Sequence, residues 1–248
     1  MTPREKVISL NLSLLDYNKA LENISDLAKK HQAAYACFAN VHMVIEAHKS
    51  VNFAEQVNQA NFVFADGVPL RWALHWLYGI RQERVAGMDF MESIVAWANI
   101  HQMKIFLYGS TDEVLQAIEQ RIAQEYSPTI VAGSISPPFR QLSEEEQNAF
   151  IEQINRSGAN IVLVALGCPK QEAWMATHSH KIKAVCLGVG GAFPVFAKMQ
   201  SRAPEFIQKY GLEWLYRLFQ EPKRLWRRYL YTNSLFVYLL LKQKLTKR

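Results

Sequence analysis

The run 161–166, I-V-L-V-A-L, is short, wholly apolar and rich in β-branched residues. A strand buried on both faces of a parallel sheet has this pattern. Gly167 ends it, and Pro169 bars its continuation because proline has no N–H to give to a ladder. Lys170, Gln171 and Glu172 then open a helical segment that reaches 178. A strand of this kind needs helices on both sides, which leaves few folds open. Polar groups just past the C-terminal end of a central parallel strand lie where open α/β sheets bind ligands. The same residues would also make an ordinary charged first helical turn.

The pattern recurs along the chain. Strand-like runs at 7–12, 35–39, 62–65, 104–108, 129–132 and 184–189 alternate with helical stretches. Alternation over 7–195 implies right-handed βαβ units and a Rossmann-like α/β fold, a parallel sheet with helices on both faces. Asp16 is placed to cap the first helix, to about 30. Asn40 stands at a strand-to-helix junction, where an amide contacts a ligand or caps the helix. Asp66 is the first charge after 62–65, either a general base or a turn aspartate before Gly67. Arg84 suits a phosphate, and Asp89 suits a helix cap or a ligand; both also suit a plain surface. Gly109 and Ser110 precede a helix over 111–126 and make a candidate diphosphate seat. Ser110 with Glu113, and Ser143 with Glu146, have capping-box spacing. Residues 133–139, with Pro137 and Pro138, read as a rigid loop. In the stretch 188–193 Phe193 occupies the third glycine position of G-x-G-x-x-G, far from the first βα turn, which argues against a dinucleotide site.

The formal net charge of +6 points to an anionic partner. The three cysteines, Cys37, Cys168 and Cys186, form no C-x-x-C pair and lie in or beside apolar runs, as buried thiols of a reducing compartment do. Cys168, in the turn after the strand 161–166, is also a candidate nucleophile. The first ten residues lack a signal-peptide pattern, and no uncharged run is long enough for a transmembrane helix. The composition changes near 201. Basic residues then interleave with Trp, Tyr, Phe and Leu at helical spacing, and Glu221 is the only acid between Arg217 and Arg248. This describes an interfacial amphipathic segment facing an anionic membrane surface. The long aliphatic run 235–241 argues against nucleic acid, while an oligomer interface stays open. The expected organisation is therefore an α/β core over 1–195 and a helical, basic appendage over 196–248.

Six motifs together resemble the WecG/TagA/CpsF glycosyltransferase family over nearly the whole chain. They are Asp66-Gly67-x-Pro69-Leu70, Arg84-Val85-x-Gly87-x-Asp89, Gly167-x-Pro169-Lys170-Gln171-Glu172, Gly188-Val189-Gly190-Gly191, Arg202-Ala203-Pro204 and the run 211–217, G-L-E-W-L-Y-R. The resemblance implies a peripheral enzyme at the cytoplasmic face of a bacterial inner membrane. It would move a sugar from a UDP-sugar to a polyprenyl-diphosphate-linked sugar for a surface polysaccharide or teichoic acid. Inversion without a bound metal or other cofactor is implied too. By motif, Asp66 is the expected base, with Asn40 near the donor sugar and Gln171 facing the site. Arg84, Arg217 and Arg224 would steady phosphates, while Asp89, Gly109, Ser110, Lys170 and Gly190 complete the expected binding set. The chain departs from the family pattern at Phe38 (commonly Thr), Pro194 (commonly Asp) and Lys198 (commonly Gly). A non-catalytic nucleotide-sugar-binding scaffold is the alternative from another class.

Overall fold

A computed structural model describes residues 2–246, and for Glu205, Lys209 and Arg224 it describes the backbone alone. The strands are β1 (Arg4–Val7), β2 (Leu10–Ser13), β3 (Ala34–Ala39), β4 (Phe62–Ala65), β5 (Ile105–Gly109), β6 (Val131–Ile135), β7 (Ile161–Ala165) and β8 (Val185–Gly188). The helices of the core are α1 (Tyr17–Lys29), α2 (Val41–Lys49), α3 (Val51–Asn58), α4 (Val68–Tyr78), α5 (Gly87–His101), α6 (Asp112–Glu125), α7 (Glu144–Arg156), α8 (Lys170–His178) and α9 (Ala192–Phe196). The C-terminal segment adds α10 (Glu205–Lys209), α11 (Glu213–Gln220) and α12 (Pro222–Thr246).

Six strands form one parallel sheet in the order β4-β3-β8-β7-β5-β6. Side chains of a strand alternate between faces, and the core divides accordingly. Tyr35, Cys37 and Val63 join one cluster with α2, α3, α4, α7, α8 and α12. Ala36, Phe38 and Phe64 join the other with α1, α5, α6 and α9. Both faces of the sheet are therefore covered, which is why its strands carry no polar face. The strand order reverses at β3, between β4 and β8. The crevice outside the carboxyl ends of β3 and β8 is thus the topological switch point of the sheet.

Four expectations shift. The strand expected at 7–12 is two antiparallel strands, β1 and β2, with Ile8 turning at φ 58°. The helix after β5 is capped at Thr111 rather than Ser110, which sits in the left-handed region at φ 65°. The strand expected at 129–132 begins at Val131 after a short 3₁₀ turn and takes in Gly133, so the loop is shorter than 133–139. The box of Ser143 and Glu146 is present in full, and Asp16 caps α1.

The C-terminal segment folds back on the core. Leu225, Thr232, Phe236 and Leu239 form the buried stripe of α12, which packs on α2. Gln243 accepts from the Ile8 N–H and donates to the Lys6 carbonyl, each at 2.7 Å. Lys244 donates to the Trp76 carbonyl. The remaining α12 surface exposes Trp226, Leu230, Tyr231, Tyr238, Leu241 and Leu245. Among the described residues no helix is long and apolar enough to cross a membrane.

Candidate active site

Asp66 follows β4 directly. Its N–H and that of Gly67 both donate to the Ala39 carbonyl, at 2.9 and 3.3 Å. The ends of β3 and β4 are thereby fixed side by side. Asn40, beside them, caps α2 by accepting from the Met43 N–H at 3.1 Å, and it stays exposed at the rim. Its backbone lies against Gly67. The cap reading of Asn40 is seen.

Arg84 reaches Asp66 twice. Its Nε donates to the Asp66 carbonyl at 2.9 Å, and its Nη2 stands 3.6 Å from Oδ1. The same Nη2 is held by Glu213, the first residue of α11. Arg217, one turn further on, lays its guanidinium on the loop after β8, where a Cβ on Gly191 would meet Nη2 at 2.8 Å. The Asp66 side chain keeps 26% of its exposure. Burial lifts its carboxyl to about 6; Arg84 works against this, Glu213 with it, and the Gly87 N–H and Arg217 against it. Such a carboxylate is ionised at neutral pH yet more basic than a free aspartate.

A second polar group lies under β8. Gln171 is buried, and its Nε2 donates to the Gly188 carbonyl at 3.1 Å and to Glu172 Oε1 at 2.5 Å. Both donor directions are used, so the amide is fixed with Oε1 toward Gly190. That oxygen has no hydrogen-bond partner. Gly190 is at φ 44°, and a Cβ there would meet Gln171 Oε1 at 2.8 Å. Glu172 is fully buried, and burial raises its carboxyl to about 7. Burial pushes the Cys168 thiol up, with Glu172 adding to the effect, so the nucleophile reading finds no support.

The remaining expected residues sit further out. Lys170 opens α8, exposed at the carboxyl edge of the sheet. Asp89 pairs with Arg202 and so ties the start of the C-terminal segment to α5. Gly109 is required by packing, since a Cβ there would lie 2.5 Å from the Ala165 carbonyl oxygen. Ser110 donates its N–H to that oxygen, and its own carbonyl accepts from Ser136. Gly109 ends β5 and Ser110 follows it, one strand beyond β7 and away from the switch point. The Arg224 side chain lies outside the described residues. The structure therefore brings Asp66, Arg84, Arg217, Asn40, Gly190 and Gln171 to the β4-β3-β8 edge, with Gly109 and Ser110 apart. Between Met88 and Val195 of the core and Arg202, Glu213, Tyr216 and Arg217 of the C-terminal segment only about 10 Å³ stays open.

Glu213 and Glu172 were missed as site residues. Both stand inside motifs quoted from the sequence, but nothing local ties Glu213 to Arg84, 129 residues away. Two family departures gain a structural reading. Phe38 packs its ring with Phe64 and Phe90 and lies on Gly87. Lys198 adopts φ 57°, the conformation a glycine takes most easily, and its Nζ bonds Glu125. Among the described residues no group of three or more His, Cys, Asp or Glu is placed to hold a metal ion.

The sequence model of the Glycosyl transferase WecG/TagA/CpsF family matches residues 5–248. Relatives from two strains of Staphylococcus aureus, MW2 and NCTC 8325, are each 32% identical over 207 residues. The match covers 83% of this chain and 79% of theirs. Each is named an N-acetylglucosaminyldiphosphoundecaprenol N-acetyl-beta-D-mannosaminyltransferase.

Proposed function

The chain belongs to the WecG/TagA/CpsF glycosyltransferase family, and from that premise we propose an inverting transfer of an N-acetylmannosamine-type sugar from UDP to a polyprenyl-diphosphate-linked N-acetylglucosamine. The observation that carries the reading is Asp66. It is a partly exposed carboxylate of raised basicity at a strand end, beside two arginines. Asp66 takes the proton of the acceptor hydroxyl. The oxygen attacks the anomeric carbon as the bond to the UDP oxygen breaks, and the electron pair leaves on the diphosphate. Arg84 and Arg217 carry that charge, with Arg224 a further candidate, and such charge stabilisation supplies a large share of the barrier lowering. Asn40 and Lys170 at the rim contact donor sugar and phosphate, and Gln171 Oε1 accepts from a substrate N–H or O–H. Gly190 allows that approach.

The C-terminal segment, 196–248, serves as the membrane-facing part. Its exposed Trp, Tyr and Leu side chains on α12 stand among Lys223, Arg227, Lys242 and Lys244. A shallow groove of about 500 Å³ is lined by Trp226, Arg227, Leu230, Tyr231, Ser234 and Leu235. Each Lys or Arg near an anionic leaflet adds about 1 kcal/mol, so the enzyme binds peripherally at the cytoplasmic face. The same apolar surface is where homo-oligomers would form off the membrane.

The test is UDP release from UDP-N-acetylmannosamine with a short-chain polyprenyl-diphosphate-N-acetylglucosamine. Release only with acceptor present, and lost in Asp66→Asn, is expected. UDP bound but never released in an acceptor-dependent way would make the protein a binding scaffold. Removing 201–248 is expected to free the protein from anionic vesicles; unchanged partition would remove the membrane reading.

A further inference from the structure

Arg84 and Asp66 are neighbours, yet they do not form a close ion pair. The guanidinium is anchored by Nε on the Asp66 main-chain carbonyl, and its Nη2 stops 3.6 Å short of Oδ1. A charge-assisted N–H···O⁻ bond closes at about 2.7–2.9 Å, so a movement of less than ~1 Å would complete the pair. That Nη2 instead bonds Glu213, contributed by the C-terminal segment. Arg84 and Glu213 are both largely enclosed, at 16% and 15% exposure, so their contact is little screened by solvent. The second oxygen of Glu213, Oε1, is buried and has no hydrogen-bond partner.

We infer that Glu213 is a positioning residue: by taking Nη2 of Arg84 it keeps the guanidinium off Asp66 and leaves the Asp66 carboxylate free to receive the acceptor proton. The inference rests on Asp66 being the base. The charged groups facing Asp66 are Arg84, from the loop before α5, and Glu213 and Arg217, both from α11; the Gly87 N–H at the start of α5 adds a donor. Without Glu213 the balance is two cations against one carboxylate. A tight Arg84–Asp66 pair would stabilise the ionised form and weaken the base. Because Glu213 belongs to the C-terminal segment, docking of that segment and competence of the base become one event. Arg202 on Asp89 is a second tie that helps to hold the segment there.

The experiment follows the Asp66 carboxyl by carbon NMR on protein labelled at aspartate, in full-length enzyme without substrate. The chain has five aspartates, and Asp66→Asn assigns the signal. Glu213→Gln is expected to move the Asp66 midpoint down by about one pH unit or more. The acid limb of kcat/KM should move with it and kcat should fall, while KM for the UDP-sugar changes little. Glu213→Asp should restore most of both. Arg217→Gln, which removes a cation, should move the midpoint the other way. An Asp66 midpoint unmoved in Glu213→Gln, with activity lost, would mean that Glu213 only anchors the segment and would overturn the inference. Turnover that survives Asp66→Asn would instead overturn the base assignment beneath it.

Discussion

Two carboxylates stand at one edge of the sheet, and burial raises both. Asp66 directly follows β4, and Glu172 lies in the first turn of α8, after β7. Burial brings them to about 6 and about 7. Raised basicity alone would nominate Glu172 before Asp66. Their surroundings separate them. Asp66 keeps a quarter of its surface and has Arg84 and Arg217 nearby. Glu172 has none of its surface exposed; its Oε1 accepts from the Gln171 amide, and its Oε2 has no hydrogen-bond partner. A base must reach the proton it removes. Asp66 meets that condition; Glu172 does not, and what it touches is the Gln171 amide that faces Gly190.

The largest expected effect tests this division directly. Asp66→Asn should lower turnover by about 10²- to 10⁴-fold, the usual contribution of a general base. Glu172→Gln keeps a carbonyl oxygen for the Gln171 Nε2 donor and should lose less than about 10-fold, since the amide it orients remains fixed. Steady-state UDP release measures both. If Glu172→Gln were the more damaging change, the roles assigned to the two corners would be exchanged.

The second effect is on stability and its pH dependence. Glu172 has a folded value of about 7 against an ordinary 4.5, so the native state binds more protons than the unfolded chain between these values. Its contribution to stability is therefore lost as pH rises through that window, and the full cost stands above pH 7. Glu172→Gln removes the charge, and should stabilise the protein at pH 8 by on the order of 2–3 kcal/mol relative to its effect near pH 4.5. Urea midpoints at the two pH values read it out. Asp66→Asn should show the same sign with a smaller amplitude, because its carboxylate is partly solvated. A Glu172→Gln effect independent of pH would show that the buried carboxylate costs nothing when ionised.

How much of this contrast could be read beforehand depends on the range of the interactions. The strand 62–65 and its Asp66 were legible because apolar β-branched and aromatic runs report burial locally, and β4 has the expected bounds. The cap at Asp16 and the box of Ser143 and Glu146 were legible because they close within three residues. Ser110 was misjudged because the left-handed turn after β5 is imposed by β7, whose Ala165 carbonyl takes the Ser110 N–H. The hairpin of β1 and β2 was hidden because Ile8, a β-branched residue, makes the turn. Glu213 was the least legible. Its partner Arg84 lies in another part of the chain, and only the folded C-terminal segment joins them. For the same reason Gln171 was readable as polar and near the site, but not the fixing of its amide by Glu172 and Gly188.

The smallest effects come from the glycines that flank the two corners, and they test how tightly each is packed. Gly67, beside Asp66, has φ −76°, and a Cβ there would meet Asn40 and Pro69 at 3.6 Å, ordinary contact. Gly67→Ala should cost about 0.5–1 kcal/mol, the difference between Gly and Ala as the N-cap of α4. Gly190, above Gln171, has φ 44°, and its Cβ would press on Gln171 Oε1 at 2.8 Å. Gly190→Ala should therefore cost about 1–2 kcal/mol from backbone conformation alone, and it should displace the amide. Thermal midpoints of the two variants give the stability difference. KM for the UDP-sugar in Gly190→Ala reports whether Gln171 has moved, since a donor held by Oε1 loses its acceptor when the amide turns. Equal, small effects at both glycines would mean that the Gln171 corner yields as readily as the Asp66 corner. The unpartnered oxygen would then be a loosely held group with no fixed aim at the crevice.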